Sequence, residues 1–453
     1  MRSALLSLLF AYAATFGASP ALGSTPAPRA PASAASTWLV LSDIHYNPFN
    51  RRSEPSPYGY DTNGPLLTSL FDELRRAVPN PPVIFIAGDF LAHGFPVKRA
   101  AATMSDLARH FDRAFPHAQF VIALGNNDSD CGDYEATVDG PFLRAVAQAW
   151  APLVDRGGAA PNFARTFAHD GSYVASLPLP HTRAVVVDDV YDTVRYRNAC
   201  GKGNPTGTTL SDLGRMLTAG PPNERNWLVM HVPPGIDAFS TAHLAHGLVV
   251  VPFMRPGSRE RLTRLIGERR DRVALVIAGH THRFSFRLSD VRDSPENVPI
   301  LIAPSVSPIF HNAPAFLTLD ILPSGSVANV TETSLLDGTW GPVDDLAAVG
   351  VREFDAAELG AFETRLSRDP ALRARFARMY AGGAPPEITE RNWRIYWCAA
   401  TQLAAAEFNE CTAAGGFSIF TGRGLTAVAL LGVCALLLVT LAIRVRAARA
   451  RPH

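Results

Sequence analysis

Seven short runs of consecutive apolar residues punctuate this chain: Trp38 to Ser42, Val83 to Ala87, Phe120 to Leu124, Arg183 to Val187, Trp227 to Met230, Val273 to Ala278 and Ile300 to Ala303. Runs of this length without strict polar alternation predict strands buried on both faces. Between several of them the apolar positions recur at helical spacing instead, as in Leu66 to Val78 and Lys98 to Phe115. That alternation predicts an α/β layered domain. Phe316 to Thr333 reads as late antiparallel strands that close the sheet. From Val343 to Met379 the chain is rich in alanine, leucine, arginine and glutamate at helical spacing, and Ile388 to Ala414, with Trp393, Tyr396 and Trp397, reads as an aromatic-stapled helical cap. Aromatic residues at i, i+3 and i+4 are read as packing rather than as a substrate platform.

Both ends depart from this pattern. Arg2, the apolar Ala4 to Phe16 and the small residues Ala21-Leu22-Gly23 predict an export signal over residues 1–23. Residues 24–36 are mostly alanine, proline and serine and predict a flexible linker, with folded structure from Thr37. Gly424 to Ile443 carries no charge over a length that spans a bilayer, and Arg444, Arg446, Arg449 and Arg451 follow it. The expectation is one transmembrane helix with residues 444–453 in the cytoplasm and everything between signal and span outside it, in a bacterial periplasm or a eukaryotic lumen. The domain reading is thus an α/β domain over residues 37–335 and a helical subdomain over residues 343–415.

Composition narrows the choice of partners. A net charge of +1 argues against nucleic acid, whose binders carry a basic excess or stripe. Cys434 falls in the apolar tail, whereas Cys131, Cys200, Cys398 and Cys411 are an even number in a disulfide-permissive compartment. Cys398 with Cys411 is the preferred pair, which leaves Cys131 with Cys200, though spacing alone does not fix the connectivity. No Cys-x-x-Cys occurs to suggest a thiolate zinc site. Asn329-Val330-Thr331 is a glycosylation sequon that has meaning only in a eukaryotic secretory host.

The chemistry lies where the strands stop. The first delivers Asp43 and His45, the second Gly88-Asp89, the third Gly125-Asn126-Asn127-Asp128, the fifth His231 and the sixth Gly279-His280-Thr281-His282. Ligand sites in open α/β sheets lie at the carboxyl ends of strands. Any one of these histidines alone reads as a structural or surface residue; the ordered set does not. Carboxylate, amide and imidazole donors without thiolate suit Zn, Mn or Fe(II).

Asp43-x-His45, Gly88-Asp89, Gly125-Asn126, His231 and Gly279-His280-x-His282 together resemble the calcineurin-like metallophosphoesterase superfamily over roughly Trp38 to Asp320. The Asp-Ile-His-Tyr-x-Pro start at Asp43, Gly-Asp-x-x-Ala-His at Gly88 to His93 and the Cys-bearing helical extension resemble its acid sphingomyelinase branch. The resemblance implies a four-layer αββα sandwich that binds two divalent ions, zinc first and manganese or iron as alternatives. Asp43, His45 and His282 would hold one ion, Asn126, His231 and His280 the other, and Asp89 would bridge them. It implies in-line attack of an activated hydroxide on phosphorus.

One position departs from the superfamily motif Gly-Asn-His-Asp/Glu, because Asn127 stands where the histidine is expected. An amide can donate a hydrogen bond but cannot act as a general acid. The Gly-Asn-Asn-Asp form resembles vacuolar endopolyphosphatases, which keeps a polyphosphate substrate beside a phosphodiester. A non-catalytic metal-binding envelope protein is the remaining alternative. His93 is the candidate replacement acid, set against a plain surface histidine.

Overall fold

The computed structural model describes residues 35–201, 205–243, 249–289 and 297–414. The strands within them form two six-stranded sheets. In the first, β1 (Ser36–Leu41), β2 (Val83–Ala87) and β3 (Gln119–Ala123) run parallel, and β10 (Ala315–Ile321), β11 (Val327–Leu336) and β12 (Thr339–Asp345) add antiparallel beyond β1. In the second, β5 (Thr182–Val186), β6 (Arg225–Val229), β7 (Val273–Ala278) and β9 (Pro299–Ile302) are parallel, with β4 (Tyr173–Ser176) and β8 (Ser285–Leu288) antiparallel at its edges.

The twofold alternation of strand side chains explains why the strands are apolar throughout. In the second sheet Ala184, Val186, Trp227, Val229, Leu275 and Ile277 face the core shared with the first sheet. Their neighbours Val185, Leu228, Met230 and Val276 instead pack under the helices Thr208–Thr218 and Pro256–Glu268. Trp38 and Phe85 from one sheet meet Trp227 from the other with ring centroids 5.4 and 5.7 Å away. Each such fully buried aromatic contributes roughly 1.5–3 kcal/mol, so this trio is a principal bond between the sheets. Helices Gly64–Ala77, Ala100–Ala114 and Pro141–Val154 cover the first sheet through Leu70, Phe111 and Trp150. The result is the expected helix, sheet, sheet, helix layering.

Several boundaries move. Strand β1 begins at Ser36, inside the stretch read as linker. Helix does not begin at Val343, because Thr339 to Asp345 is claimed by the ladder to β11, and the long helices start at Ala356. Strands β4 and β8 carried no clear signal, being four residues each with polar ends. Of the C-terminal helices Ala356–Leu366, Pro370–Tyr380, Trp393–Thr401 and Ala405–Ala413, the first and third pack over β8, and Phe362 joins the main core. Disulfides join Cys398 to Cys411 and Cys131 to Cys200, the preferred pairing. The export signal, the membrane span and the basic tail lie outside the described residues; among those, no helix is long and apolar enough to cross a membrane.

Candidate metal centre

All seven expected ligands follow strand ends at one edge of the two sheets. Asp43 and His45 leave β1, Asp89 leaves β2, Asn126 leaves β3, His231 leaves β6, and His280 and His282 leave β7. Asp43, His45, Asp89, His280 and His282 all have positive φ, from 45° to 70°. Left-handed backbone is uncommon outside glycine, tolerated best by Asn, Asp and His, and clusters at functional sites. Here it lets a strand turn its next side chain into the cleft at once. The turns are tied to one another, since Asp43 N donates to Gly88 O at 2.9 Å, His45 N to Asp89 O at 2.9 Å and Gly279 N to His231 O at 2.9 Å. Two motif glycines are needed for close approach: a Cβ on Gly125 would lie 2.1 Å from Asp89 Oδ1, and one on Gly279 would lie 1.8 Å from Ser42 Oγ.

The side chains form two adjoining sets. Asp43, His45 and His282 make one, with His282 Nε2 3.2 Å from Asp43 Oδ1 and 3.2 Å from His45 Nε2. Asp89, His231 and His280 make the other, joined by Asn126, whose Oδ1 lies 3.1 Å from His231 Nε2. Asp89 Oδ2 is 3.5 Å from His45 Nε2 and 3.4 Å from His231 Nε2, so it stands between the sets. His45 Nδ1 is turned to Leu91 O and His231 Nδ1 to Ala87 O, which directs both Nε2 atoms inward. Asp43 Oδ2 accepts from Ser42 Oγ and from His280 N, while Asp43 Oδ1, buried among imidazoles, has no hydrogen-bond donor. A buried carboxylate oxygen left bare costs heavily unless a cation meets it. The donor set and that bare oxygen fit two divalent ions.

Without ions the charges are divided unevenly. Burial opposes protonation of His45, but the neighbouring carboxylates of Asp43 and Asp89 override it and push the imidazole up to about 9. Burial likewise opposes charge on His231, yet Asp89 pushes it up to about 10. Burial, reinforced by charged His231, pulls His280 down to about 3, and burial pulls His282 down to about 4 despite Asp43. Burial would raise Asp89, but His231 and His45 hold it well below the usual carboxylate range.

Sequence reasoning placed Asp128 at a strand end without a role and missed the other residues that brace these ligands. Asp128 Oδ1 accepts from Phe90 N and Leu91 N and its Oδ2 from Gly125 N, pinning the Asp89 turn to the Asn126 turn. Asp189 accepts from His231 N and Val232 N. Asp133 Oδ1 takes the amide hydrogen of Asn126 Nδ2 at 2.7 Å, which turns the carbonyl of that side chain inward, and Tyr134 Oη lies 3.1 Å from His280 Nε2. Asp133 and Tyr134 sit in an irregular loop with no periodic signal.

Asn127 is not free above the site. Its backbone N donates to Asp89 Oδ1 at 2.8 Å and its Nδ2 to Asp89 Oδ2 at 2.9 Å, so it steadies the carboxylate between the two sets. His93 is about one-third exposed, with its ring 4.2 Å from that of His45. Its Nδ1 lies 3.0 Å from Asp61 Oδ1, and its backbone N donates to Asp61 Oδ2 at 3.0 Å. Asp61 was not anticipated. It lies just before Asn63, whose side chain caps the helix Gly64–Ala77, in a stretch with no strand pattern.

The family model of the calcineurin-like phosphoesterases matches residues 37–284, more than half of the chain. The chain belongs to the calcineurin-like phosphoesterase family. Within it, the chain is 26% identical over 265 residues to "Sphingomyelinase phosphodiesterase D" of Dictyostelium discoideum, covering 57% of each chain. It is 26% identical over 270 residues to "Cyclic GMP-AMP phosphodiesterase SMPDL3A" of Homo sapiens, covering 57% of this chain and 56% of that one. The match thus spans little more than half the length of these relatives, which support the acid sphingomyelinase-like branch. Among solved structures, a dimetal phosphatase from Danio rerio is similar at 13% identity and a TM-score of 0.42, over 71% of this chain and 99% of that one.

Proposed function

We propose that this protein is a dinuclear metal-dependent phosphodiesterase. The observation that carries the reading is the pair of ligand sets with Asp89 standing between them, and Asp43 Oδ1 buried and bare between imidazoles. Asp43, His45 and His282 would hold one ion and Asn126, His231 and His280 the other, with Asp89 touching both. When bound, the two ions, zinc first by donor type, supply an activated water nucleophile and neutralise charge on the phosphoryl oxygens. The chain's own residues do the rest. Asn127 keeps Asp89 oriented through two hydrogen bonds. Asp61 occupies His93 Nδ1, which leaves Nε2 to give a proton to the departing alkoxide. The named activities of the relatives, both phosphodiesterases, support a diester over a monoester.

The test is hydrolysis of bis(4-nitrophenyl) phosphate by the purified full chain, stripped of metal and then reloaded with zinc or manganese. Turnover that returns with metal and is lost in Asp43→Asn is expected; metal uptake near two ions per chain without turnover of any phosphoester would reduce the protein to a metal binder. Release of phosphate from long-chain polyphosphate in preference to diesters would favour the endopolyphosphatase reading that Asn127 keeps open.

We further infer an exported protein anchored by residues 424–443, from the uncharged run and the arginines behind it. Fractionation of cells followed by protease treatment tests this. Recovery of the chain in the soluble cytoplasmic fraction would remove it.

A further inference from the structure

We infer that the C-terminal helices wall a pocket for an uncharged apolar group carried by the phosphoester, which makes them the specificity element of the centre. The inference rests on the phosphodiesterase reading and extends it to the class of substrate. A cavity of about 460 Å³ opens beside His280 and Thr281. That is the size of pocket that encloses small organic ligands, and such pockets are lined mostly by apolar and aromatic side chains. Phe253 and Phe286 line it together with Phe376, Tyr380, Tyr396 and Ala400 of the C-terminal helices, and Phe239, also in the lining, is exposed. The pocket touches the metal ligands, with the Phe253 ring 5.3 Å from that of His280. Tyr396, whose spacing suggested packing alone, both joins the helical core and lines this cavity.

The charged groups along the wall are already engaged. Arg283, the residue after His282, forms a two-pronged ion pair with Glu387, and this pair fastens the C-terminal segment to the ligand loop. Arg287 is buried and donates to Pro234 O and Ile236 O. Arg195 lies over the Tyr134 ring at 4.5 Å, near Asp133. Asp237 adds a negative group. A chain of phosphates would lose its hydration against aromatic faces with no free row of cations among the described residues to receive it, at large cost. An alkyl or aryl group gains from the same burial.

The experiment uses the metal-loaded full chain and a series of alkyl 4-nitrophenyl phosphates, methyl to octyl, in which the leaving group is constant. kcat/KM is expected to rise at least about tenfold along the series, since each buried methylene favours binding. Ala400→Phe, which fills the cavity from the C-terminal side, and Phe239→Glu, which sets a carboxylate at its exposed edge, should each flatten the series. Val97→Glu, an exposed apolar residue outside the cavity, should leave the slope as it is. Calorimetric binding of methyl- and octylphosphonate gives the same order without turnover. A flat series in the unaltered protein overturns the inference, as does a slope that survives both Ala400→Phe and Phe239→Glu. Chain-length-dependent phosphonate binding with no turnover of any ester would sustain the pocket and remove the phosphodiesterase reading.

Discussion

His93 and Asp89 perform separable tasks, and single substitutions distinguish them. With Nδ1 held by Asp61, His93 offers Nε2, and proton donation to a leaving group is typically worth about 10²–10⁴ in rate. His93→Ala should therefore slow an alkyl phosphodiester by about that factor and a nitrophenyl ester little, at equal metal content. Equal losses on both esters would mean that His93 binds phosphate and transfers no proton. Asp89→Asn should lower both activity and metal content more than Asn126→Ala, because Asp89 faces both ligand sets whereas Asn126 gives one neutral oxygen to one of them. Elemental analysis beside the rates decides this, and a reversed order would unseat Asp89 from between the ions. The seven candidate ligands were legible because each follows a buried apolar run. Asp61, Asp133 and Tyr134 were not, since each lies in irregular chain and reaches its partner through folding alone.

Strand-end turns are the elements that set the geometry, and their glycines and carboxylates are as necessary as the ligands. Gly125→Ala would place a methyl 2.1 Å from Asp89 Oδ1, so either Asp89 or the β3 turn must shift. We expect activity to fall at least about tenfold and stability by about 1–3 kcal/mol, the usual cost of overpacking a tight interior. A variant with unaltered rate and unaltered denaturation midpoint would show that the turn yields freely. The parallel strands were readable as unbroken apolar runs, and the helices Gly64–Ala77 and Ala100–Ala114 as periodic ones. Strand β12 was hidden because Thr339 to Asp345 contains glycine, proline and two aspartates, which lack strand propensity and are held by the ladder to β11.

At the scale of the whole molecule, each ligand set draws on both sheets. Asp43 and His45 come from the first and His282 from the second; Asn126 comes from the first and His231 and His280 from the second. Ions bound only by the folded chain stabilise it by roughly 4 kcal/mol at a thousandfold excess over Kd. Metal should raise the melting temperature by several degrees and a chelator should reverse the rise; a melting curve indifferent to both would contradict binding across the sheets. Loading should also acidify the solution. His45 at about 9 and His231 at about 10 are charged near neutral pH in the ion-free chain, and ions take neutral imidazole. About two protons per chain should therefore leave on binding, with affinity increasing as pH rises towards those values. A pH indicator in weak buffer measures them, and uptake instead of release would refute the charge division.

Ions bound across the same seam would keep either half of the sandwich from peeling away while they remain in place. Separation of the sheets would then have to wait for loss of metal. The lifetime of the loaded protein would be governed by how rarely an ion leaves that seam, and a scavenging chelator would shorten it by preventing the ion's return.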